Sequence, residues 1–63
     1  MTSEWEFEAE DDIEDKMGVS SELTVIRRLV DIDDGVEHYF VTDGARLLLI
    51  SKFSLESMYR KAK

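Results

Sequence analysis

The chain has no cysteine and no proline, only three glycines and a single histidine. Without cysteine neither a disulfide nor a thiolate-bound zinc can staple the fold, so apolar packing or a partner must hold it. A reducing cytoplasm suits such a chain. No apolar run approaches the ~20 residues of a membrane span, and the first residues are acidic where a signal peptide is basic. The expectation is a cytoplasmic protein with no membrane segment. Three glycines leave no phosphate-binding loop, and the serines (Ser3, Ser20, Ser21, Ser51, Ser54, Ser57) fall at caps and turns with no nucleophile elbow. With His38 alone, no cysteine beside it and too short a chain for a deep cleft, catalysis has no foothold, and no enzyme, cofactor or metal is expected.

What is present is acid. The 63 residues carry a formal net charge of −7 on a hydrophobic content of 43%, which is that of a folding domain. Residues 1–15 hold eight acids (Glu4, Glu6, Glu8, Glu10, Asp11, Asp12, Glu14 and Asp15) and no base. Beyond them seven acids face eight bases, three of which lie in the last four residues. The excess belongs to one segment, and the two ends carry opposite sign.

One domain is expected over residues 1–63, since no linker or repeat divides the chain. Asp34-Gly35 and Asp43-Gly44 lie nine residues apart between apolar runs, the strongest short-range hairpin signal. They predict a three-strand antiparallel meander within 22–51, its strands near 23–31, 36–42 and 45–51. Leu23, Ile26 and Val30 also fit a helical stripe capped by Ser20 or Ser21. A C-terminal helix is predicted over 54–62, capped by Ser54 and burying Leu55, Met58 and Tyr59.

The acidic segment, 3–17, reads two ways. Trp5, Phe7 and Ala9 alternate with Glu4, Glu6, Glu8 and Glu10 as in a strand, whereas Trp5, Ala9, Ile13 and Met17 recur every four residues as in a helix. The reading adopted is a fourth strand to about Ala9, then a short acidic helix near 10–17. The fold class is α+β.

A solvated acidic tail is the plain alternative. Against it, a loose tail has no reason to interleave Trp5, Phe7, Ile13 and Met17 with its charges. A folded strand would repeat its carboxylates about every 6.6–6.8 Å, within a factor of two of the phosphate spacing along one nucleic-acid strand. Asp31-Ile32-Asp33-Asp34-Gly35 hints at a calcium loop, but setting Gly35 at the sixth position puts Val30 and Val41 at the first and twelfth, where chelation needs acids. A hairpin turn is the better reading. The net charge opposes direct binding to nucleic acid, although Arg60, Lys61 and Lys63 cluster at the C-terminus.

Small size, absence of cysteine and acids from Glu4 to Asp15 on the frame Trp5, Phe7, Ala9 and Ile13 resemble small virus-encoded inhibitors of bacterial defence, such as anti-CRISPR proteins and other DNA mimics. The resemblance covers about a quarter of the chain. It implies a protein partner with a basic nucleic-acid-binding surface, such as a CRISPR effector subunit, covered by Glu4, Glu6, Glu8, Glu10, Asp11, Asp12, Glu14 and Asp15. A monomer or weak dimer is expected. The alternative is a small β-rich module of SH3-like type that binds a protein through its sheet face or a strand edge.

Overall fold

The computed structural model describes residues 4–62. Five antiparallel strands and one helix follow in the order β1 (Asp12–Asp15), β2 (Leu23–Val30), β3 (Glu37–Thr42), β4 (Leu47–Ser51), α1 (Lys52–Met58) and β5 (Tyr59–Lys61). They form one sheet with spatial order β4-β3-β2-β1-β5. Met1, Thr2, Ser3 and Lys63, to which parts of the expected acidic segment and basic cluster belong, lie outside the described residues.

The meander forms as its turn chemistry demands. Gly35 and Gly44 take positive φ at the two turns. Asp31 Oδ1 accepts the Asp33 N–H at 2.8 Å, Asp34 Oδ1 accepts the Val36 N–H at 2.9 Å, and Asp43 Oδ1 accepts those of Ala45 and Arg46 at 2.8 Å. Side-chain oxygens that satisfy turn amides in this way are why Asp is favoured there. Two of the three carboxylates of the apparent calcium loop, those of Asp31 and Asp34, serve the turn, and no group of three or more metal-ligating side chains occurs among the described residues. The 23–30 segment is a strand and not a helix. A bulge between Val25 and Arg27 inserts Ile26 and re-phases the strand, so that Arg28 rather than Arg27 shares the core-side face with Tyr39.

The termini depart from expectation. No strand occurs within residues 4–11 and no helix within 10–17; the strand of this region is β1, where the helix was expected. Glu8 and Asp11 close a turn through the Asp11 N–H and Glu8 carbonyl (3.1 Å), with Glu10 at φ 75°. That non-glycine positive φ ends any regular ladder through the segment. The chain then runs beside β2, with Glu10 N–H donating to the Val25 carbonyl at 2.7 Å and Val25 N–H to that of Asp11 at 2.9 Å. A helix through Met17 is further blocked by Asp15, whose carboxylate takes the Met17 and Ser20 amides at 2.8 and 3.0 Å.

The C-terminal helix is shorter and earlier than the 54–62 expected. Ser51 is its N-cap, its hydroxyl accepting the Ser54 N–H at 3.3 Å, and the helix ends at Met58 because Tyr59 turns into the core and starts β5. Leu55 and Tyr59 are buried as expected, whereas Met58 is exposed. Strand β5 pairs with β1, and the opposite charges of the two ends meet there: Arg60 Nε lies 2.7 Å from Glu14 Oε2 and Lys61 Nζ 3.8 Å from Asp11 Oδ2.

The core consists of Phe7, Ile13, Leu23, Val25, Tyr39, Val41, Leu55 and Tyr59, with Trp5, Leu48 and Ile50 packed against it. Among the described residues no helix is long and apolar enough to cross a membrane.

Candidate functional site

The eight carboxylates singled out by charge do not form one uniform row. Asp11 accepts the Glu8 N–H at 2.9 Å besides facing Lys61, and Asp12 accepts the Thr24 hydroxyl at 2.8 Å. Glu14 is paired with Arg60, and Asp15 caps the following turn. The Met17 and Ser20 amides hold the Asp15 carboxyl below its ordinary 3.8. Four of the eight are thus tied into the fold. The other four, Glu4, Glu6, Glu8 and Glu10, are exposed along the segment leading to β1.

Pairing of β1 with β2 assembles the densest part of this surface. The Asp12–Thr24 register carries Glu22 alongside, and Glu10, Asp11, Asp12 and Glu22 line one shallow depression with Lys61 and Ala62. Spacing in the sequence gave no sign of Glu22, ten residues beyond Asp12. It joins the site only through strand pairing. Of the four acids around the depression, Asp11 and Asp12 are also tied into the fold, Glu10 and Glu22 are exposed, and Lys61 opposes them.

The apolar residues interleaved with the acids hold this segment to the sheet. Phe7 is buried, its ring centroid 5.5 Å from that of Tyr39, while Trp5 sits edge-on to Tyr39 at 5.2 Å with Arg28 and Lys52 at 5.5 and 5.6 Å from its ring. The Tyr39 hydroxyl accepts the Phe7 N–H at 3.2 Å and donates to Glu56. Glu56 in turn accepts the Glu6 N–H at 3.0 Å and meets Lys52 Nζ at 3.2 Å. One carboxylate on the helix therefore fastens two successive amides of the acidic arm, one directly and one through Tyr39.

The charges in this fastening are tuned by it. Burial alone would lift the Glu56 carboxyl, but hydrogen bonds from Tyr39, the Glu6 amide and Lys52 outweigh burial and leave it below its ordinary 4.5. Burial pushes the Tyr39 hydroxyl well above the usual tyrosine range, and its bond to Glu56 pushes in the same direction. A carboxyl with a depressed folded pKa contributes stability above its unfolded value and loses it as pH falls through the folded one. Urea midpoints are therefore expected to hold down to about pH 4.5 and fall below it. Glu56→Gln should start lower and lose less across the same range; an unchanged acid slope in that variant would remove Glu56 from the account.

His38 lies on the outer sheet face opposite Leu29 and Ser51, with Nδ1 3.2 Å from the Val36 carbonyl. Glu6, Glu37 and Glu56 line a further open pocket with Lys52 and Phe53, so that acids border more than one depression of a charged, partly apolar surface. Comparison with protein-family models, with curated proteins and with solved structures finds no match.

Proposed function

We propose that this protein is a non-catalytic inhibitor, acting in the cytoplasm, that covers a basic nucleic-acid-binding surface of a protein partner with its acidic face and so mimics DNA. The observation that carries the reading is the grouping of Glu10, Asp11, Asp12 and Glu22 around one depression, with Glu8 exposed beside them. A protein that grips phosphates gains affinity by releasing counterions, and fixed carboxylates compete for the same groove with steered association. CRISPR effector subunits are one fitting class of target, because they hold a heteroduplex in a positively charged channel.

The variant that tests this is chosen to spare the fold. Asp11 and Asp12 are left alone, since Asp11 caps Glu8 and faces Lys61 and Asp12 accepts the Thr24 hydroxyl. The combined change Glu8→Lys, Glu10→Lys and Glu22→Lys is expected to weaken partner capture by about 100-fold or more while the thermal transition persists, as desolvated charge pairs at interfaces are each worth a few kcal/mol. Capture by the parent chain should fall with salt and be competed by duplex DNA. A folded variant that still captures the same partner refutes the reading.

A second reading has an observation of its own. We read the order β4-β3-β2-β1-β5, with the helix placed before β5, as the connectivity of an SH3-like small barrel. Fold alone assigns no function. Leu47 and Leu49 of β4, however, are exposed on a strand that ends the sheet, which favours binding through the strand edge, as in modules that add a strand to a sheet.

A further inference from the structure

Strand β4 ends the sheet with its outer edge open. Its hairpin closes through the Asp43 N–H to the Arg46 carbonyl at 3.3 Å, and the register sets Val41 opposite Leu48 and Tyr39 opposite Ile50. Alternation along an antiparallel ladder then directs the N–H and C=O of Leu48 and Ile50 to β3, and those of Leu47, Leu49 and Ser51 away from it. Among the described residues no backbone group outside the sheet meets those of Leu47 and Leu49, whereas the Ser51 C=O, at the helix N-cap, is taken by the first turn of α1 and leaves only its N–H to the edge. Leu47 and Leu49 also project from the outer face, 63% and 59% exposed, with Phe40 beside Leu49.

The other edge of the sheet is built differently. Strand β5 has three residues, two of them Arg60 and Lys61, and short edges bearing bases discourage further pairing. Residues 47–51 contain no charge, no proline and no glycine. That edge is a template for another strand.

We propose that a second copy of this chain occupies it, the two β4 strands pairing antiparallel about a two-fold axis at Leu48. The inference rests on the strand-edge reading and not on the acidic face. Charge favours a copy here above any other approach between copies. Strand β1 lies three strands from β4, so two paired copies hold their β1 acids seven strand spacings apart along the sheet, roughly 33 Å at 4.7–4.8 Å each and several times the ~8 Å Debye length.

Apolar matching selects the register. Centred on Leu48, each Leu47 meets the partner's Leu49, and four leucines gather with both Phe40 rings. Moving the axis to Leu49 would instead set each Leu47 against the partner's Ser51 and break up that cluster. Five residues span about 17 Å, so the contact falls short of the ~800 Å² per partner of a standard interface. The dimer is accordingly weak, with a Kd on the order of 100 µM.

Sedimentation of the full chain from about 10 µM to about 1 mM, a range that brackets this affinity, tests the pairing. The weight-average mass is expected to rise toward that of a dimer with little dependence on salt. Amide exchange at Leu47, Leu49 and Ser51 should slow over the same range. Leu49→Lys, at an exposed position that leaves the core intact, should abolish both effects, and Val19→Lys, at a still more exposed apolar site elsewhere, should leave both unchanged. A constant mass, a dimer indifferent to Leu49→Lys, or loss of the dimer in Val19→Lys overturns the proposal. None of those results bears on the acidic face, which partner capture tests separately.

Discussion

Replacing Phe7 with alanine is expected to cost about 3–5 kcal/mol, the range for truncating a buried aromatic. Phe7 is 1% exposed and shares one cluster with Ile13, Val25 and Tyr39, although it lies in a segment with no regular secondary structure. A 63-residue domain at 0.05–0.15 kcal/mol per residue has roughly 3–9 kcal/mol in all. The variant should therefore be largely unfolded at room temperature or lose its urea transition by a few molar units' shift in midpoint, given slopes of about 1–3 kcal/mol per molar. Circular dichroism in urea measures this directly. A loss below about 1 kcal/mol would mean that the arm packs without supporting the core.

Tyr39→Phe keeps the ring and removes only the hydroxyl, yet it is expected to cost about 1–3 kcal/mol. The buried Phe7 N–H loses its acceptor and Glu56 loses a donor, so two groups are left wanting by one deleted atom. In a domain of this size each kcal/mol lowers Tm by roughly 4–8 °C. A double-mutant cycle with Glu56→Gln should give a coupling of about 0.5–3 kcal/mol, as residues of one network are not additive. Additive losses would show that Tyr39 and Glu56 act independently and that the arm is not fastened through them.

The middle of the chain was readable because its signals are local. Two Asp-Gly turns and β-branched runs specify a meander without help from elsewhere. The ends depend on contacts that no local pattern announces. Alternation of Trp5 and Phe7 with glutamates looks like a strand, but the two aromatic rings pack on Tyr39 from an arm that makes no ladder there. Nothing marks Glu10 as a residue with positive φ, so the break before β1 was hidden. Strand β5 is three residues of Tyr-Arg-Lys with no apolar alternation of its own. Its trace in the sequence was the opposite sign of the two termini, which the Glu14–Arg60 and Asp11–Lys61 pairs make concrete. The acids of the candidate site were legible as a set, whereas their division into tied and outward groups, and the arrival of Glu22, required the β1–β2 register.

Trp5 is the lone tryptophan, set edge-on to Tyr39 between Arg28 and Lys52. The chain therefore carries an unlabelled fluorophore where the start of the arm meets the sheet. Its emission colour and its quenching by anions report whether the arm is seated, while β4 and the carboxylate depression, which hold no tryptophan, stay dark. Events at those two surfaces can be told by light alone from release of the arm.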